Sequence, residues 1–296
     1  MISYIGGKSR MAKWISGYIP NNIETYVEVF GGAFWVYVNG DVHTRPKLKK
    51  VIYNDFNRYM VNLFECCKTP QEFYDSMLEI KAQDEELFYK FKKEVFEDND
   101  VNDVTLGDKD FGMKYAYIVT QVFSGLNPEK GKFIDLKGKY KSKYDAFRRR
   151  LVKTDISDKL KKIDVCENMD YSDVIKKYDS PTTYFYVDPP YWKTENYYSL
   201  HDFDRDDHEK LCLQLRDIQG KFSLSYYDFD LLSEWLPESE YVWERREFVK
   251  AASARKDGKQ NKGEELLIMN YKLEEENQNK LVGEFFDNEW WNCKTN

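Results

Sequence analysis

Apolar residues along this chain follow two spacings, and the spacing changes several times. Short runs dominated by apolar and β-branched residues, Tyr26-Val27-Glu28-Val29, Val51-Ile52-Tyr53, Ile163-Asp164-Val165-Cys166 and Thr182 to Val187, predict buried strands. A strand covered on both faces has no need of polar alternation. Helix-period stretches stand between them: Met11 to Tyr18, a start at Trp35 to Asn39, one from near Asn57, Tyr171 to Lys177 and Asp204 to Ile218. Another strand is expected at Lys221 to Ser225, then an antiparallel pair, Tyr241 to Val249 and Glu265 to Tyr271. Strands alternating with helices imply an α/β fold with a mostly parallel sheet.

Between Thr69 and Asp164 the pattern differs. Charged, helix-period stretches at Gln71 to Gln83, Glu85 to Glu97 and Asp110 to Phe123 precede a Gly- and Lys-rich segment, Asn127 to Tyr140, that reads as a hairpin. A helix is expected from Lys141 to Leu160. The chain thus divides into an α/β domain, 1–68 and 163–296, and an inserted, mainly helical lobe, 69–162.

At 296 residues with 42% apolar composition, the chain can bury a large core. No apolar run approaches a membrane span, and Met1 to Ala12 lacks the apolar centre of a signal peptide, so a cytoplasmic location is expected. Five cysteines, with Cys66 and Cys67 adjacent, imply no disulfide framework. His43, His201 and His208 have no metal-ligand spacing, and His208 fits the first turn of the Asp204 to Ile218 helix, so no metal is expected.

A formal charge of −7 argues against nucleic-acid binding by bulk charge, but the charge is unevenly placed. Lys130, Lys132, Lys137, Lys139, Lys141, Lys143, Arg148, Arg149, Arg150 and Lys153 are opposed only by Asp135 and Asp145. Tyr140, Tyr144, Gly131 and Gly138 interrupt the run, which favours a phosphate-contacting surface over a plain solvated face. A second basic stretch, Lys250 to Lys262 with Lys256 at its middle, reads as a loop.

The chemistry concentrates at Asp188-Pro189-Pro190-Tyr191, which follows a strand. Two prolines deny two backbone donors and hold φ, so the segment cannot be ladder or helix interior. A plain turn accounts for the prolines. It does not account for an acid at one end and an aromatic at the other, a grouping suited to gripping a planar base that carries an amino group. Near the amino end, Gly6-Gly7-Lys8-Ser9 looks like the end of a P-loop, but the first glycine and the upstream strand are missing, so nucleoside-triphosphate binding is rejected. Phe30-Gly31-Gly32 at a strand-to-helix turn suits close backbone approach by a ligand, or a simple tight turn. Asn54-Asp55 ends the second strand where a carboxylate can take ribose hydroxyls, and it can equally cap the next helix.

Taken in order, Tyr4 to Lys8, Glu28 to Gly32, Asn54-Asp55, the insert, and Asp188 to Tyr191 resemble the blocks of the Dam-like DNA adenine N(6)-methyltransferase family. Phe222 to Tyr226 and Glu265 to Tyr271 extend the resemblance over nearly the whole chain. Val29 stands where the family usually has Pro, and Ala33 where a third glycine is frequent. The resemblance implies a Rossmann-like S-adenosylmethionine-dependent methyltransferase sheet with a target-recognition insert, acting on double-stranded DNA as a monomer or weak dimer. It implies that Asp188, Pro189, Pro190 and Tyr191 clamp a flipped adenine. For the cofactor it implies Tyr4, Gly7, Lys8, Glu28, Phe30, Gly31, Gly32, Asp55 and Asp188, with Asp170 either on the cofactor adenine or capping a helix. Lys130 to Arg148 and Lys256 would meet DNA. The insert matches less clearly, so the family's common target, GATC, does not carry over. An RNA adenine or DNA cytosine-N(4) methyltransferase, or a catalytically silent DNA-binding relative, stays open on the sequence alone.

Overall fold

The computed structural model describes residues 2, 7–125, 127–135, 142–192, 203–254 and 260–273. Seven strands form one sheet among them: β1 (Thr25–Glu28), β2 (Lys50–Asn54), β3 (Val165–Glu167), β4 (Thr183–Val187), β5 (Lys221–Tyr226), β6 (Val242–Ala254) and β7 (Gln260–Met269), in the order β3-β2-β1-β4-β5-β7-β6. The first five strands run parallel, while β7 lies antiparallel to both β5 and β6. The order reverses between β1 and β4. In a doubly wound sheet, ligands bind beyond the carboxyl ends of the strands at that switch point.

Each central strand is buried on both faces. Val27, Ile52, Phe185, Val187, Leu224 and Ile268 join one apolar cluster, and Tyr26, Tyr53, Tyr184, Tyr186, Leu267 and Met269 join the other, as the two-residue period requires. The tyrosine-rich face keeps its hydroxyls satisfied. Tyr184 donates to Ser223 Oγ at 2.6 Å, and the Tyr186 hydroxyl and Ser225 Oγ lie 2.9 Å apart, which explains serines at alternate positions of a buried strand.

Helices cover both faces. Before and between the first strands come α1 (Ala12–Gly17) and α2 (Trp35–Asn39), and α3 (Arg58–Cys67) starts at Asn57, whose side chain accepts from Tyr59 and Met60 N–H. The segment expected as an insert, 69–162, supplies α4 (Pro70–Asp75), α5 (Glu85–Phe96), α6 (Lys109–Gln121), α7 (Lys143–Leu151) and α8 (Thr154–Leu160). Then follow α9 (Tyr171–Tyr178), α10 (Arg205–Asp217) and α11 (Leu232–Trp235). Phe73, Phe88, Tyr117, Phe147 and Leu160 of the insert share their apolar cluster with Tyr26 and Tyr53 of the sheet.

Three expectations for the insert differ from what is observed. The helix expected over Gln71 to Gln83 ends at Asp75 and gives way to turns, with Gln83 at φ 61°. The helix expected from Lys141 to Leu160 is two, parted at Lys153, whose backbone is extended. In one straight helix Leu151 and Leu160 would lie half a turn apart, and the break lets both reach the core. Asn127 to Asp135 forms a turn, with Lys130 and Gly131 N–H donating to the Asn127 carbonyl, and no strand. The rest of the expected hairpin, Leu136 to Tyr140, lies outside the described residues.

Candidate active site

The register brings Glu28, Tyr53 and Tyr186 level across β1, β2 and β4. Residues just past those strand ends, the Phe30 to Gly32 turn, Asp55 and Asp188, therefore share one edge of the sheet. Because β7 runs against β5 with Tyr226 opposite Leu266, Glu265 also reaches that edge. The turn before α1 adds Lys8, whose carbonyl accepts from Met11 and Ala12 N–H.

Lys8, Asp188, Tyr191 and Glu265 form a closed polar quartet. Lys8 Nζ lies 3.2 Å from Asp188 Oδ1 and 3.0 Å from Glu265 Oε1, and donates to the Tyr191 hydroxyl at 2.5 Å. Tyr191 in turn donates to Glu265 Oε1 at 2.5 Å. Relative exposure is 9% for Lys8, 8% for Tyr191 and 2% for Glu265, against 17% for Asp188, so Asp188 is the member presented outward. Burial works against the Lys8 charge, but the Asp188 and Glu265 carboxylates outweigh it and hold the ammonium above its usual range. Burial pushes the Asp188 carboxyl up to about 6, with Lys8 opposing that rise and Glu265 adding to it. The Tyr191 ring packs 5.5 Å from Tyr226 and edge-on, 4.5 Å, to Tyr227. Pro189 and Pro190 are buried beside it.

Around the β1–α2 turn the backbone is laced tightly. Gly31 N–H donates to the Asn54 carbonyl at 2.7 Å, and a Cβ on Gly31 would come within 2.3 Å of the Tyr53 ring. Its missing side chain is thus filled by the protein's own packing. Gly32 takes φ 46°, a left-handed value that disfavours side chains, and donates its N–H to Asp55 Oδ2 at 2.7 Å. Asp55 Oδ1 accepts from Asn57 N–H at 2.8 Å. Burial pushes this carboxyl up to about 6 against those two hydrogen bonds. Phe30 is half-buried, stacked on Tyr171 at 5.8 Å and edge-on to Phe203 at 5.9 Å.

Other candidates are placed as follows. Glu28 is turned inward, accepting from the Tyr26 hydroxyl at 2.6 Å and from Tyr37 N–H at 2.8 Å, so it anchors α2. Asp170 Oδ1 accepts from Ser172 N–H at 2.8 Å and caps α9. Gly7 is exposed next to Lys8. Lys130 and Lys132 are exposed on the Asn127 turn and Lys143 is half-buried at the start of α7. Arg148 donates to the Met77 carbonyl at 2.9 Å and pairs with Asp145 at 2.7 Å, so its guanidinium ties α7 to the end of α4. Tyr4, Gly6, Lys137, Lys139, Lys141 and Lys256 lie outside the described residues.

Two contributors were not singled out from sequence. Glu265 closes the quartet. Its signal was present: by the strand period it shares a face with buried Leu267 and Met269, an unusual place for a carboxylate. Asn54, read only with Asp55, donates to the Val29 carbonyl at 2.8 Å and accepts from Met169 N–H at 3.0 Å, tying the ends of β1 and β2 to the loop after β3. His208 is fully buried in α10, sharing a hydrogen bond through Nδ1 with the Tyr226 hydroxyl. Among the described residues no group of three or more His, Cys, Asp or Glu side chains gathers as a metal site, and no helix is long and apolar enough to cross a membrane.

A sheet with this switch point, a Gly-Gly turn, an acid after β2 and Asp-Pro-Pro-Tyr after β4 define an α/β protein of the Rossmann-like methyltransferase type. The chain belongs to the D12 class N6 adenine-specific DNA methyltransferase family, whose sequence profile matches residues 4–250. It is 23% identical over 226 residues to the Type II methyltransferase M.CviBI of Paramecium bursaria Chlorella virus NC1A, covering 75% of this chain and 80% of that protein. Shorter matches reach the Modification methylase StsI of Streptococcus sanguinis, 35% identical over 68 residues, and the Type II methyltransferase M.FokI of Planomicrobium okeanokoites, 31% over 67. Each takes in 23% of this chain but only 10% and 9% of those proteins respectively.

Proposed function

We propose that this chain methylates the exocyclic N6 amine of an adenine in double-stranded DNA, using S-adenosylmethionine, with the target base turned out of the duplex. Family membership supports adenine in DNA over the RNA and cytosine alternatives. The observation that carries the reading is Asp188: a carboxylate one residue past β4, at the switch point, held from behind by Lys8 and presented outward.

S-adenosylmethionine would supply a methyl group on a sulfonium centre that departs as a neutral thioether. The donor set fits such a cofactor. Each Asp55 oxygen accepts one backbone N–H and keeps lone-pair capacity for a ribose hydroxyl, and Phe30 offers a half-buried ring on the same edge. Lys8, which the resemblance implies for the cofactor, has its donors directed at Asp188, Glu265 and Tyr191, and we read it as orienting Asp188.

The adenine amine is a poor nucleophile because its lone pair is delocalised into the ring. Hydrogen bonds from that amine to the Asp188 carboxylate and the Pro189 carbonyl favour a pyramidal nitrogen. As the N–C bond forms, the nitrogen gains positive charge, which Asp188 opposes, and one amine proton leaves through that hydrogen bond. These contacts are stronger in the transition state than in the ground state. The prolines keep the Pro189 carbonyl out of the ladder and its direction fixed. Tyr191 would stack on the base. The insert, 69–162, would read the DNA, with its lysines on phosphates.

Incubation of duplex DNA with tritiated-methyl cofactor tests the reading. Asp188→Ala is expected to lower turnover by about 10²–10³-fold or more, the usual loss of a transition-state contact, while cofactor binding stays measurable by calorimetry. Near wild-type turnover would overturn the assignment.

A further inference from the structure

We propose that Glu265 is a positioning residue that shares the Lys8 ammonium with Asp188, so that Lys8 orients the Asp188 carboxylate without fully neutralising it toward the target amine. The inference rests on the methyl transfer proposed above.

The geometry is the first ground. Lys8 sits between two carboxylates at nearly equal distances, 3.2 Å and 3.0 Å, and Tyr191 bridges the Glu265 side by accepting from Lys8 and donating to Glu265. Glu265 is 2% exposed and comes from β7, a different element from every other member of the quartet. A lone buried ammonium against Asp188 would neutralise the group that must take the amine's hydrogen bond. With Glu265 present, the trio carries one net negative charge, and Asp188 is the more exposed of its two carboxylates.

Charges facing Asp188 come from several elements. Lys8 precedes α1, Glu28 ends β1, Tyr186 is on β4, Tyr191 shares the Asp188 loop, Tyr227 follows β5 and Glu265 is on β7. Burial pushes all three tyrosines up, so they are neutral near pH 7, and pushes Glu28 up to about 8, so its charge develops only as pH rises toward that value. Lys8 and Glu265 remain as the charges that set the Asp188 field.

The test uses the full chain with Glu265→Gln and Glu265→Asp. The acid limb of the kcat/KM profile on duplex DNA is expected to move to lower pH in Glu265→Gln by about one unit, since a like charge has gone and Lys8 is left to Asp188 alone. Turnover near pH 7.5 should fall about tenfold or more with DNA KM within about twofold. Glu265→Asp, which keeps the charge on a shorter arm, should restore the limb to its wild-type position. A limb unmoved in Glu265→Gln, or an Asp variant no better than the Gln variant, overturns the proposal. A carbon-13 titration of the Asp188 carboxyl, assigned with Asp188→Asn, reads the same shift without any activity. A wild-type chain that transfers no methyl would therefore sink only the function proposed above, and the titration would still decide this point. If Glu265→Gln does not fold, Lys8→Gln decides: with the shared ammonium gone, the Asp188 carbon is expected to titrate at higher pH than in the wild type. An unmoved curve overturns the proposal.

Discussion

Glu28 illustrates how one side chain at this edge trades stability for placement. It closes β1 with its carboxyl inside the protein, where it fixes both the Tyr26 hydroxyl and the first turn of α2. Burial raises it from 4.5 to about 8 despite those two hydrogen bonds. In the unfolded chain the group loses its proton near 4.5, while the folded chain keeps it to about 8. Between those values the folded state binds more protons, so the Glu28 contribution to stability falls as pH rises through the window and levels off above it. Asp55 and Asp188, both raised from 3.8 to about 6, act in the same sense over a narrower range. Glu28→Gln keeps an oxygen acceptor for both donors and removes the titration. Urea unfolding at pH 5, 6, 7 and 8 is expected to show a flatter stability profile in Glu28→Gln than in the wild type. A profile as steep as the wild type's would place the pH dependence elsewhere.

At the scale of elements, caps and packed turns hold the site. The α10 helix starts with a capping box in which Asp204 accepts from Asp207 N–H and Asp207 accepts from Asp204 N–H. That helix carries His208, which meets Tyr226 behind the Tyr191 ring. Asp204→Ala is expected to cost about 1 kcal/mol, read as a lower urea midpoint at unchanged slope, because one cap oxygen is lost and nothing in the core is disturbed. This start was legible in the sequence, as were the central strands, since aromatic and β-branched runs such as Tyr184 to Val187 have few other readings. The break at Lys153 was not, because no Gly or Pro marks it and only packing decides it. Asp188 and Asp55 could be read from their place after strands. The contacts of Glu265 could not, because its partners lie in distant parts of the chain, Lys8 before α1 and Tyr191 after β4, and only sheet order brings them together. Gly31 was legible as a special residue, but the approach it permits is that of Tyr53 and Asn54.

For the whole molecule, the function proposed above sets the problem of how a chain of net charge −7 would bind a polyanion. Positive charge must then be local, since a Debye length near 10 Å confines each lysine's influence to its own patch at about 0.1 M salt. Segment 69–162 offers such charges: Lys130 and Lys132 are exposed on the Asn127 turn, and the half-buried Lys143 begins α7. Arg148 differs from them, because its guanidinium is already directed at the Met77 carbonyl and Asp145. Replacing it would loosen the α4–α7 junction as well as remove charge, so it makes a poor probe of DNA contact. The informative variant is Lys130→Gln, Lys132→Gln and Lys143→Gln together, which leaves the core untouched. Each phosphate contact contributes about 0.9 to the slope of log Kobs against log salt, so loss of three should flatten that slope by about 2–3. Fluorescence-anisotropy titrations of a duplex from 50 to 200 mM salt, about the range over which such slopes are resolved, would measure it. An unchanged slope would move the DNA-facing surface off the insert, toward the basic stretch between Lys250 and Lys262, whose ends lie in β6 and β7 and not in the loop expected from the sequence.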